Sequence, residues 1–111
     1  MLSKLSHWSD PIISPATPPG ISAIGVIRLS GEKSVEIVND LFPSKDLTVQ
    51  ASHSLQVGLL KDGDRLLDEV VVSLYRAPRS YTGEDVVEIS CHGSPHVQER
   101  ILEACISRGA R

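Results

Sequence analysis

The chain has 111 residues, 41% of them apolar, with 11 basic and 14 acidic side chains and a formal net charge of −3. That is enough for one domain with one modest core, and its charged content is too ordinary for intrinsic disorder. The acidic balance argues against a nucleic-acid surface spread over the whole domain, and no stretch approaches the ~18 apolar residues of a membrane span.

Met1 to Ser9 has no hydrophobic period and no signal-peptide pattern, so it is set apart as a mobile leader, with the domain proper over 10–111. Ile12 and Ile13 begin a short strand that Pro15 ends. Pro15 to Gly20 reads as a rigid loop. The β-branched run after it predicts a strand over Ala23–Leu29. Ile24, Val26 and Arg28 share one face of that strand, and Gly25, Ile27 and Leu29 share the other. Ser30 is a candidate N-cap for a helix over Glu32–Leu41, which Pro43 stops. Ser44 to Ser52 is polar loop. His53–Leu60 and Leu67–Tyr75, joined by Lys61-Asp62-Gly63-Asp64, predict a β-hairpin, with Leu55, Val57 and Leu59 on one side of the first strand. A loop over Arg76–Glu84 leads to a strand over Asp85–Cys91. Ser94 and Pro95 then open a final helix with the apolar stripe Val97, Ile101, Leu102 and Cys105, and Gly109 closes it. Strands and helices mix without regular βα alternation, so the class is α+β: a mixed sheet with flanking helices. A further strand after Gly109 is the natural next element.

Few motifs carry chemistry unaided. Gly31-Glu32-Lys33-Ser34 lacks P-loop spacing, so GTP binding is not expected of this chain. Cys91 and His92 are neighbours on a strand and point to opposite faces, which argues against a thiolate–imidazole pair. Cys91 shares a face with Val87 and Ile89 and reads as a buried structural thiol. Cys91, His92, His96 and Cys105 match no standard zinc set, and two cysteines do not make a secreted disulfide framework. The thiols are therefore read as reduced and the chain as cytoplasmic. Glu88, mid-strand, is either a solvent-facing residue or a pocket carboxylate able to accept two parallel N–H bonds. Arg28 either reaches water at a strand end or anchors a ligand. Asp10, Glu84 and Asp85 are candidates to neutralise it. The loop Ser80–Asp85 is either a plain connection or a device presenting Tyr81 to a ligand or a second subunit.

Three stretches together carry a resemblance. They are Ala16–Gly20 followed by Gly25–Gly31, then Ala77–Glu88, then Cys91-His92-Gly93 running on to Arg108–Arg111. In this order and separation they resemble the N-terminal domain of the MnmE (TrmE) family of tRNA-modification GTPases. The resemblance implies a fold like the tetrahydrofolate-binding domain of the glycine-cleavage aminomethyltransferase. It also implies homodimerisation through this domain and binding of a formyl- or methylene-tetrahydrofolate, with contacts from Arg28 and Glu88. For the longer parent it implies GTP hydrolysis with potassium and magnesium in a separate domain, and a flavoprotein partner, MnmG. Together they would alkylate carbon 5 of the wobble uridine of certain tRNAs. The helical and GTPase domains, a C-terminal cysteine motif and a further folate-contacting lysine have no counterpart among these residues. Two other roles are compatible with the residues: an interaction module that binds no folate, and a free-standing aminomethyltransferase-like enzyme.

Overall fold

Alternation of apolar and polar residues is clearest in the segments flanking Arg28 and Glu88, and there the backbone is extended. In the computed structural model, which describes residues 10–16, 24–80 and 82–111, five strands form one sheet. They are β1 (Ile12–Pro15), β2 (Ile24–Ser30), β3 (Ser54–Asp62), β4 (Arg65–Tyr75) and β5 (Val86–His92). Their order is β1-β2-β5-β4-β3, and every neighbouring pair is antiparallel. Among the described residues, two helices, α1 (Ser34–Asn39) and α2 (Pro95–Ser107), and a 3-10 turn at Leu47–Val49 join the sheet in an α+β fold. The expected leader, most of the proline-rich loop, and Tyr81 lie outside the described residues.

The two hairpin strands run closer to their turn than expected. A register shift between Leu60 and Lys61 lets Lys61 pair with Leu66 and Asp62 with Arg65. Only Gly63 and Asp64 remain as the loop, and Gly63 takes a φ of 62°, which a glycine adopts without steric cost. Helix α1 is shorter than the expected Glu32–Leu41, and Ser30 does not cap it. Ser30 is still paired in β2, opposite Val86 and Ile12. Lys33 occupies the N-cap position with no side-chain bond. The Ser34 hydroxyl instead donates to the carbonyls of Gly31 (2.7 Å) and Asp85 (3.2 Å), tying the helix start to the loop before β5. Leu41 and Phe42 follow the helix as tight turns and are buried. Helix α2 begins as expected, with Ser94 at the N-cap and Pro95 in the first turn, although the Ser94 side chain makes no capping bond. Gly109, at φ 110°, turns the chain out of it. Beyond it, Arg111 exchanges backbone bonds with Pro11 and Ile13 at the outer edge of β1.

Both helices cover the same face of the sheet. Ile27 and Leu29 of β2, Val70, Val72 and Leu74 of β4, and Val87, Ile89 and Cys91 of β5 point toward them, with Leu60 of β3. From α2 come Ile101, Ala104 and Cys105; from α1 and its exit come Val35, Val38, Leu41 and Phe42. Gly25 lets α2 approach, since a Cβ there would lie 2.6 Å from the Gln98 side chain. Among the described residues no helix lies on the opposite face, although Ser73 and Val86 on it are buried. Leu55 and Val57, at 67% and 65% exposure, stand on it with Leu59 as an apolar row on β3. Among the described residues no helix is long and apolar enough to cross a membrane.

Candidate functional site

Antiparallel register decides which side chains meet on the face away from the helices. Arg28 of β2 is the direct partner of Glu88 of β5, and Ser73 of β4 lies on the other side of Glu88. Side chains directly opposite on one face are the closest pairs a sheet offers. Arg28 uses this closeness: its Nε and Nη2 both donate to Glu88 Oε2, at 2.9 and 2.6 Å. The Glu88 side chain is only 15% exposed and that of Arg28 39%. Oε1 of Glu88 accepts no hydrogen bond from the described residues. That face therefore holds a carboxylate with one oxygen engaged and the other available. Asp85, one of the residues considered for neutralising Arg28, is occupied otherwise. Its Oδ1 accepts the Ala77 N–H (2.8 Å), and its Oδ2 lies 4.0 Å from Arg76.

The loop from Arg76 to Asp85 borders this face. Arg76 Nη2 donates to the carbonyls of Leu47 (3.1 Å), Thr48 (2.9 Å) and Gln50 (3.4 Å), fixing the loop to the 3-10 turn. The Ser80 hydroxyl donates to the Glu84 carbonyl, and the hydroxyls of Thr82 and Ser30 meet at 2.7 Å. Tyr81, the loop residue singled out in the sequence, lies outside the described residues.

Cys91 and His92 diverge as strand geometry requires. Cys91 is buried, and burial, followed by the negative charge of Asp68, pushes its thiol up to about 11. Burial pushes Cys105 up to about 12, against the opposing charge of Arg108. Both are therefore protonated thiols at neutral pH, and thiolate chemistry is suppressed. His92 faces out and makes a contact that sequence reading missed. Asp68 of β4 accepts its backbone N–H on Oδ2 (2.8 Å) and contacts its Nδ1 through Oδ1 (2.7 Å). The only local hint was an acidic pair, Asp68-Glu69, set between Leu67 and Val70 in a strand. Among the described residues no three His, Cys, Asp or Glu side chains gather as a metal set.

Three cavities lie around these groups. One of about 430 Å³ is lined by His53, Tyr75, Pro78, Arg79 and Ser80. One of about 400 Å³ lies near Ser30 and Gly31 and is lined by four carboxylates, those of Asp10, Glu32, Glu84 and Asp85. The smallest, about 260 Å³, lies beside His92 and Glu69. None of the three is lined by Arg28 or Glu88.

The sequence profile of the family described as GTP-binding protein TrmE N-terminus matches residues 11–111. The chain belongs to this family. Its curated relatives include the tRNA modification GTPase MnmE of Cytophaga hutchinsonii, 46% identical over 109 residues, which are 98% of this chain and 24% of the relative. The protein of that name from Christiangramia forsetii is 48% identical over 106 residues, 93% of this chain and 22% of the relative. That of Flavobacterium johnsoniae is 49% identical over 105 residues, 92% and 22%. The chain thus spans less than a quarter of the length of these TrmE-family relatives.

Proposed function

We propose that the sheet face opposite the two helices binds a reduced folate, a formyl- or methylene-tetrahydrofolate, and that the domain pairs with a second copy of itself. The observation that carries this reading is the Arg28–Glu88 rung, a carboxylate only 15% exposed whose Oε1 accepts no hydrogen bond from the described residues, on the sheet face opposite the two helices. A pterin presents two parallel N–H donors on one edge, which a carboxylate accepts side by side. Oε1 is open to such a donor. Oε2 already takes two from Arg28, so the full fork forms when Arg28 turns from Glu88 toward an oxygen of the ligand. The residues present fit the group: Glu88 accepts, Arg28 orients, and bound folate would supply a one-carbon unit.

Within a longer protein like its relatives, this domain would serve a GTP-hydrolysing tRNA modification enzyme in the cytoplasm. Partnership with the MnmG flavoprotein, modification of carbon 5 of the wobble uridine, and use of GTP, potassium and magnesium belong to that larger assembly. The fold likeness to the aminomethyltransferase folate domain is part of the same reading.

Calorimetric titration with 5-formyl-tetrahydrofolate tests the site, in this chain and in the longer protein. Glu88→Ala and Arg28→Ala should each abolish the binding heat. Unchanged binding in both variants would remove these residues from the site. A second reading, a pairing module without folate, is favoured by the exposed row Leu55, Val57 and Leu59. The outer edge of β3 is partly covered, since Leu59 N–H reaches the Ser44 hydroxyl (3.3 Å) and Lys61 N–H the Leu41 carbonyl (2.7 Å). Association would then use the face of the strand and not its edge. A dimer in sedimentation with no folate heat would establish this second reading.

A further inference from the structure

Asp68 spends both oxygens of a poorly exposed carboxylate on one residue. The paired register of β4 with β5 ends at Val71 and Ser90. Just beyond that end, Asp68 Oδ2 accepts the His92 N–H (2.8 Å) and Oδ1 meets His92 Nδ1 (2.7 Å). The Asp68 side chain is 11% exposed, yet the His92 side chain that it holds is 70% exposed. Fixing so exposed a ring costs rotamer freedom and, as a surface contact, returns little stability. What the contact does achieve is orientation. With Nδ1 committed to a carboxylate, Nε2 is left on the far edge of the ring. Where Nδ1–H donates to that carboxylate, Nε2 keeps its lone pair, the state in which histidines bind metal ions.

A second carboxylate stands across from it. Continuing the register of Val71 with Ser90 by two residues in each strand sets Glu69 opposite His92. Direct partners on one sheet face have Cβ atoms about 5 Å apart. Both residues line the cavity of about 260 Å³, floored by Ile24, Val57 and Val71. Glu69 is exposed, and its carboxylate makes no hydrogen bond or ion pair among the described residues. The cavity falls below the ~300 Å³ at which small organic ligands are usually held. Its size and its two donors suit a hydrated ion better. Four residues of β5, about 13 Å, separate His92 from Glu88, so this end of the face is distinct from the Arg28–Glu88 rung.

We propose that His92 Nε2 and the Glu69 carboxylate bind a divalent transition-metal ion such as zinc or nickel, with Asp68 as the positioning residue behind the imidazole. Two protein ligands are fewer than a closed structural zinc site uses. Water therefore fills the remaining positions and can exchange for an oxygen of a ligand. The imidazole nitrogen favours these ions over magnesium, which takes oxygen donors. The site does not depend on the folate reading.

The experiment titrates zinc chloride, and separately magnesium chloride, into the isotope-labelled chain and follows the histidine ring nitrogens by NMR. His92 Nε2 should shift and saturate at lower zinc than the rings of His53 and His96. His92→Gln should abolish that event. Glu69→Gln should weaken it by about tenfold, and Asp68→Asn by about 10–100-fold, the usual effect of removing the group behind a metal-bound histidine. The ring nitrogens of His92 report the positioning role directly: the Nδ1–H tautomer should dominate with Asp68 and give way to a mixture in Asp68→Asn. Both His92 and Glu69 are exposed, so their variants keep the fold even if Asp68→Asn does not. Saturation of His92 no earlier than His96 overturns the proposal, as adventitious binding at a surface histidine. Indifference to both His92→Gln and Glu69→Gln overturns it as well. Equal binding of magnesium at the same residues also overturns it, by reducing the site to bare carboxylate charge.

Discussion

Removing one member of the Arg28–Glu88 pair should have unequal consequences depending on which member goes. Arg28→Met keeps the aliphatic stem but leaves Glu88, 15% exposed, without its two donors. A poorly solvated carboxylate stripped of its hydrogen bonds costs about 2 kcal/mol. Glu88→Gln leaves Arg28, which is 39% exposed and can turn its guanidinium into water. Screening by solvent then limits the loss to about 1 kcal/mol or less. The double variant removes the unpaired charge along with its partner. It should lose less than the two single variants combined, with a coupling of about 1 kcal/mol. Urea denaturation of all four proteins measures the cycle, and for a domain of this size each kcal/mol should move the melting temperature by roughly 4–8 °C. If Glu88→Gln is the more damaging change, or the coupling vanishes, the pair is not the desolvated unit described here. The proposed ligand exchange, in which Arg28 leaves Glu88 for the folate, would then lose its structural basis.

Other expectations concern the scaffold. Gly58→Ala should destabilise more than Gly25→Ala, by about 1–3 kcal/mol against less. A Cβ at Gly58 meets the buried Phe42 ring at 2.8 Å as well as Ser44, whereas one at Gly25 meets the end of a flexible glutamine; equal melting temperatures would contradict this. Arg108→Ala removes bonds to Asp40 (2.6 Å) and Asp62 (2.9 Å) that join the end of α2 to the exit of α1 and to the hairpin, and chemical denaturation should show a loss of about 1–2 kcal/mol. The two thiols give a pH signature. Their folded values are raised, from 9.0 to about 11 for Cys91 and about 12 for Cys105. Above pH 9 the unfolded chain therefore releases protons that the folded chain retains, and stability should fall as pH rises from about 9 toward 11–12. Replacing both cysteines by alanine should flatten that slope in denaturation curves collected between pH 8 and 10.5. Thiol reagents at pH 7.5 should label neither cysteine without unfolding.

Much of this architecture was legible locally. The β-branched run located β2, and the turn signal Lys61-Asp62-Gly63-Asp64 placed β3 and β4 on either side of it, because both signals act through local backbone preference. Pro95 and Gly109 marked the ends of α2 through backbone constraints that need no partner. The division of Cys91 from Glu88 and His92 followed from strand geometry. The same local logic misjudged α1, where Ser30 looks like a helix cap but is held in β2 by its strand partners. It also could not tell that Leu55, Val57 and Leu59 form an exposed row while Gln56 and Leu60 point inward, since only the position of the helices decides which face of β3 is covered.

For the proposed site, the residues alone left Arg28 and Glu88 open between solvent-facing and ligand-binding roles, and the family resemblance singled them out. The sequence did not determine that they touch. Sixty positions separate them, and their meeting depends on the β2–β5 register, a long-range property fixed by packing of the opposite face against α2. The same holds for Asp68 with His92, and for Arg79 with His53 and Tyr75. Local composition sets which face a side chain occupies; only the assembled sheet sets what stands opposite.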